Sequence, residues 1–200
     1  MPDALEIQHT LQSESDVLVR DLHLDEMLSS LGKVTRVGSS AMGLMVRRDI
    51  DITVTCSKID APTTDAFALV GARLMSMTEQ VMEVRYRNDT GTWNADPEKY
   101  PDGLYLWLSV RGKDRAMWTI DIWLVDEPER QPDLTHLKTL LPRLTEENRR
   151  IILAIKSALN SGQQNKNRVP SALVYEAVVD YAVLNVAQFE GWLKERSGVN

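Results

Sequence analysis

A chain of 200 residues can bury one good core, or one domain with a small appendage, and 43% apolar with 26% charged residues is ordinary for a globular protein. Its formal net charge of −6 argues against sequence-independent binding to duplex nucleic acid, which needs a basic face. No apolar stretch approaches the ~20 residues that span a bilayer, no basic-then-apolar leader opens the chain, and the single cysteine, Cys56, excludes an internal disulfide. The expected setting is therefore cytoplasmic, with no membrane partner.

Residues 3–31 are rich in Leu, Glu, Asp and Val without internal Pro or Gly, and Leu18, Leu22 and Leu28 mark one apolar helical stripe ended by Gly32. Residues 34–37 predict a short strand running into Gly38. Ile50, Ile52, Val54 and Cys56 alternate with Asp51, Thr53 and Thr55, the pattern of a half-buried strand. A helix is expected over 64–79 and a strand over 81–86. Residues 88–103 read as loop, with Asp-Thr-Gly, Asp-Pro and Pro-Asp-Gly turn signals.

Residues 104–110 and 117–125 read as antiparallel strands around an Arg111-Gly112-Lys113-Asp114 turn. Beyond Pro132 the character becomes helical. Thr145 caps a helix running to about Leu159, residues 160–169 form a polar link, and a last helix starts at Pro170-Ser171 and reaches about Trp192. The expected layout is a mixed α/β domain over 1–140 with a small helical region over 141–200.

Residues two apart on a strand share a face, so Asp49 and Asp51 project together while Ile50 and Ile52 face the core. Two adjacent carboxylates repel unless a proton or cation separates them. Asp121 lies in the apolar run Trp118-Thr119-Ile120-Asp121-Ile122-Trp123-Leu124, where an unpaired charge is costly and a metal or partner is called for. Should that strand neighbour the Asp49/Asp51 strand, three carboxylates converge, a set of hard oxygen ligands suited to Mg²⁺. Gly38 permits a tight bend whose amides, with the Ser39 and Ser40 hydroxyls, form an anion-holding nest. Cradled phosphates, a held magnesium and an acceptor that must lose a proton are what transfer of a nucleoside monophosphate needs.

Together, Gly38-Ser39-Ser40-Ala41-Met42-Gly43 and Arg48-Asp49-Ile50-Asp51-Ile52, with Asp121 on a later strand, resemble the signature of the DNA polymerase beta-like nucleotidyltransferases, especially small bacterial members. The resemblance covers roughly residues 30–125. It implies an α/β (α+β) nucleotidyltransferase-type mixed sheet with flanking helices. Gly38 and Ser39 would hold the triphosphate of an NTP, with ATP the expected donor; Asp49 and Asp51 would bind two Mg²⁺ ions; Asp121 would complete the metal site and activate an acceptor hydroxyl. Lys156 falls where such enzymes often place a triphosphate-contacting lysine, against the alternative of a solvated helix residue. One departure is Arg47, standing where the pattern usually has Ser or Asp. Arg47 and Arg48 could neutralise phosphate charge, or be ordinary surface cations.

Competing motifs fail on their own terms. Asp49-Ile50-Asp51-Ile52-Thr53 matches the box of haloacid dehalogenase-like phosphatases, but there the apolar run precedes the nucleophile and here it follows. An EF-hand loop would need Gly and Glu where Val54 and Asp60 stand. His9, His23 and His136 have no ligand spacing, so zinc is not expected. Of Trp93, Tyr100, Trp107, Trp118 and Trp123, most should pack and one exposed ring could stack on a base or acceptor. The run Asp126-Glu127-Pro128-Glu129 is a solvated loop or a recruiter of a cationic acceptor.

The expected function is Mg²⁺-dependent transfer of an NMP to an acceptor hydroxyl, with a small, antibiotic-like molecule favoured. The alternatives are the same chemistry on tRNA or protein, and a non-catalytic nucleotide sensor of the same fold. The acceptor, the preferred base and the oligomeric state stay open at this level.

Overall fold

A computed structural model describes residues 3–162 and 169–197. Helix α1 (Ala4–Asp21) is capped by Asp3, whose amide donates to Glu6 Oε2 at 3.3 Å. The single N-terminal helix expected from the sequence is broken in two. His23 adopts φ 52°, and helix α2 (Leu24–Ser29) starts behind it. Leu22 and Leu24, on either side of the break, are both wholly buried, and the turn at His23 is what lets both reach the core.

Strand β1 (Lys33–Val37) leads into a one-turn helix α3 (Gly38–Met42) and then strand β2 (Asp49–Thr55). Helix α4 (Ala61–Met75) begins where Asp60 accepts the Thr63 amide at 3.1 Å, with Pro62 in its first turn. Strands β3 (Val81–Asp89), β4 (Gly103–Arg111) and β5 (Met117–Val125) follow, β3 being longer than the sequence pattern predicts. Four helices close the chain: α5 (Pro132–Thr139), α6 (Glu146–Gly162), α7 (Ser171–Tyr181) and α8 (Val186–Ser197). Thr145 Oγ1 accepts the Asn148 amide at 3.1 Å, as a cap for α6 should. The expected last helix is two helices, divided at Ala182, which sits at φ 53°. Part of the expected polar link, residues 163–168, lies outside the described residues.

The strand order is β1-β2-β5-β4-β3, antiparallel throughout except for the parallel pair β2–β5. One face packs Ile50, Ile52, Ile120, Ile122, Leu106 and Leu108 against α1, α2 and α4 residues such as Leu18, Leu28, Phe67 and Leu74. A second apolar cluster joins Met42 and Leu44 to Ile152, Ile155, Val174 and Phe189 of the C-terminal helices. Packing thus runs across residue 140, the expected domain boundary, and seats α6 and α7 against the segment that follows β1.

Candidate active site

The parallel register of β2 and β5 sets Asp51 directly opposite Asp121, and Asp49 opposite Thr119. All four side chains are on the sheet face away from the isoleucine core, since Ile50, Ile52, Ile120 and Ile122 occupy the alternate positions. Three acidic residues from two distant segments therefore meet on one side of the sheet. Across the β1–β2 pair Val37 registers with Asp51, so the chain leaves β1 beside that carboxylate. Gly38 makes the exit at φ +62°, and a Cβ there would stand 2.2 Å from Asp51 Oδ2. Glycine is required twice over, for the left-handed backbone and for the close approach.

Each carboxylate has a distinct setting. Asp49 Oδ2 receives the Arg47 guanidinium at 2.8 Å, and Thr119 Oγ1 donates to its other oxygen. Asp121 accepts the Tyr105 hydroxyl. Burial pushes the Asp51 carboxyl up to about 8, and the neighbouring charges of Asp49, Asp121 and Asp133 act in the same direction. Burial likewise raises Asp121, against the opposing Tyr105 hydrogen bond. Tyr105 itself is pushed up, by burial first and by Asp121 next.

Lys156 is not a solvated helix residue: it is 7% exposed. Its ammonium donates to Ser39 Oγ at 2.7 Å, the Leu44 carbonyl at 2.7 Å and the Tyr175 hydroxyl at 3.0 Å, which uses all three of its protons. Burial draws Lys156 down to about 7, with Arg47 adding to the effect and Asp51 and Asp49 opposing it. Tyr175 also lies 3.0 Å from Ser39 Oγ and is pushed by burial up to about 12. Helices α6 and α7 thereby back the Gly38-Ser39 turn with a lysine and a phenol.

The remaining sequence-predicted residues stand elsewhere. Ser40 is buried and donates to the Val37 carbonyl at 3.2 Å, closing the α3 turn. Arg48 points away from the carboxylates, pairing with Glu14 at 3.2 Å and Asp114 at 3.1 Å, and Arg47 takes the place beside Asp49. The irregular chain ahead of β2 turns these adjacent arginines to different sides, which period-two reasoning does not reach. Asp133 went unremarked in the sequence because an acidic residue in the first turn of a helix, here α5, is ordinary. Its half-buried carboxyl is raised by burial, opposed only by His136, and its charge bears on both Asp51 and Asp121. The run after β5 is partly structural, since Asp126 accepts the Ile59 amide at 3.0 Å.

The donor set suits a hard cation such as Mg²⁺. It is all carboxylate oxygen, and a divalent ion would offset both the burial and the neighbouring charges that raise Asp51. Among the described residues, no three His, Cys, Asp or Glu side chains close on a single point. Asp49 is turned towards Arg47 and Asp121 towards Tyr105. One or two carboxylates joined by substrate phosphates is a common way for Mg²⁺ to be held.

No protein-family model matches the sequence, and no curated protein matches it. Solved structures do match. A structure of Cid1, described as an RNA terminal uridylyl transferase, aligns at TM-score 0.57 and 16% identity, covering 86% of this chain and 47% of that one. Cid1 poly(U) polymerase bound to MgGTP aligns at TM-score 0.55 and 14% identity, covering 87% and 51%. A cytoplasmic RNA terminal U-transferase aligns at 0.53 and 13%, covering 91% and 56%. The fold is that of the nucleotidyltransferases, a five-stranded mixed sheet with flanking helices. The chain spans about half the length of these neighbours.

Proposed function

We propose that the protein is a Mg²⁺-dependent nucleotidyltransferase that moves an NMP from an NTP, ATP being the expected donor, to a hydroxyl of a small-molecule acceptor. The observation that carries this reading is the register of Asp51 against Asp121 beside the left-handed bend at Gly38. Asp49, Asp51 and Asp121 would hold the metal, which would neutralise charge building on the triphosphate. The amides after Gly38 and the Ser39 hydroxyl bind phosphate oxygens, with the Lys156 ammonium 2.7 Å behind Ser39. Asp121, steadied by Tyr105, takes the acceptor proton. The acceptor oxygen then bonds to the α-phosphorus as the bond to the bridging oxygen breaks, and pyrophosphate leaves. Positioning and charge neutralisation supply the acceleration.

Structures of the same fold with MgGTP and MgATP bound support a magnesium-bound nucleoside triphosphate as the donor. Two of the neighbours are RNA terminal uridylyl or U-transferases, whereas the net charge of −6 here favours a smaller acceptor. Incorporation of labelled nucleotide, with and without Mg²⁺, tests the reading in wild type and Asp51→Asn. Loss in the variant and in chelator is expected; equal incorporation by both proteins would refute the site. Adding RNA to the same assay decides between acceptors.

A further inference from the structure

A cavity of about 760 Å³ opens at the end of β5 beyond Asp121, within the size range of small-molecule sites. Trp123 lies in its lining, two residues along the strand from Asp121 on the same face, a separation of about 7 Å. Trp93 and Tyr100 line it from the loop between β3 and β4, and Asp133 from α5. Trp93 is 72% exposed and Tyr100 41%, unusual for rings of that size.

Their loop is held in shape by its own hydrogen bonds. Asp102 accepts the Gly91 amide at 2.9 Å and the Asn94 amide group at 3.1 Å, and Arg130 donates to the Tyr100 carbonyl at 3.2 Å. The rings are therefore presented on a built wall.

The cavity is acidic on balance, with Asp89, Asp96 and Asp133 against Arg87 and His136. Its arginine, Arg87, is spent: it is paired with Asp89 at 2.7 Å and lies over the Tyr105 and Trp123 rings at 4.7 and 5.4 Å. Asp96 has no ion-pair partner among the described residues, and Asp133 has neither an ion pair nor a hydrogen bond there; His136 is the one further basic side chain in the lining. Acidic groups among exposed aromatic faces attract organic cations, by direct pairing and through the ring quadrupole. A phosphate-rich strand would be repelled.

We propose that this cavity is the acceptor site, and that the acceptor is a small amino-polyol whose ammonium group rests on Asp133 between the Trp93 and Trp123 rings. The role as acceptor site rests on the nucleotidyltransferase reading; the ligand chemistry rests on the cavity alone. From that seat a hydroxyl on the same molecule spans the distance to Asp121.

Tryptophan fluorescence of the full chain, titrated without nucleotide, tests the site with neamine, a two-ring aminocyclitol, against sucrose, a neutral polyol of similar size. Saturable change is expected with neamine only. Asp133→Asn should raise the half-saturating concentration roughly tenfold, and Trp93→Ala several-fold. Equal response to both probes, or unchanged neamine binding in both variants, would overturn the proposal. So would loss of MgATP binding in calorimetry without loss of neamine binding, which would make this the nucleoside's pocket. No turnover enters these titrations, so failure of the transfer reading shows separately, in the Asp51→Asn incorporation assay.

Discussion

On β2 and β5 one face carries Ile50, Ile52, Ile120 and Ile122, each at most 1% exposed, and the other carries Asp49, Asp51 and Asp121. The same backbone thus holds fully buried apolar packing on one face and crowded carboxylates on the other. The first face removes apolar surface from water; the second crowds like charges where burial keeps them from ionising. Such a division teaches that stability and chemistry are kept one residue apart. A change on the core face should lower the melting point and spare the reaction, and a change on the acidic face should cost the reaction without lowering the melting point.

The largest stability effect expected is from Ile120→Ala, about 2–5 kcal/mol lost in urea denaturation, with incorporation per folded molecule retained. Gly38→Ala comes next. It forces a side chain into left-handed backbone, at about 1–2 kcal/mol, and into the Asp51 carboxylate, so incorporation should fall roughly a hundredfold. Parental activity in that variant would break the link between the bend and the carboxylates.

Asp51→Asn should go the other way in chelator, gaining on the order of 0.5–2 kcal/mol while transfer is lost. The gain must depend on pH. Asp51 is raised from 3.8 to about 8, so the native state keeps a proton that the unfolded chain releases. Its stabilising contribution is complete below the unfolded value and is lost as pH rises through the folded one. The melting-point advantage of the variant should therefore open between about pH 4 and pH 8, and a flat difference would show that the charges do not crowd. Arg48→Ala is expected to have the smallest effect, under about 1 kcal/mol with incorporation unchanged, because its partners Glu14 and Asp114 lie away from the acids. A large loss of activity there would return Arg48 to the site.

Much of this contrast was legible in the sequence, for a physical reason. Alternation along a strand is enforced by the backbone, so Ile50 and Ile52 against Asp49 and Asp51 announce both faces at once. Gly38 was legible because few residues tolerate its conformation. What stayed hidden depends on tertiary packing. The breaks at His23 and Ala182 carry no glycine or proline, and arise where flanking chain turns into a core. The opposite aims of Arg47 and Arg48, and the arrival of Asp133 near the acids, are set by irregular segments that have no period to read. Lys156 could be placed on a helix, yet its burial depended on where α6 docks.

The parallel pairing of β2 with β5 has a consequence for the order of assembly. Asp51 and Asp121 are about seventy residues apart in the chain, and the lysine and phenol behind Ser39 come later still. Synthesis must pass Asp121 before the two acids can pair, and pass α6 and α7 before the lysine and phenol can join them, and such distant pairings form slowly. The three acids and their supporting lysine are brought together only once α6 and α7 have docked behind Ser39.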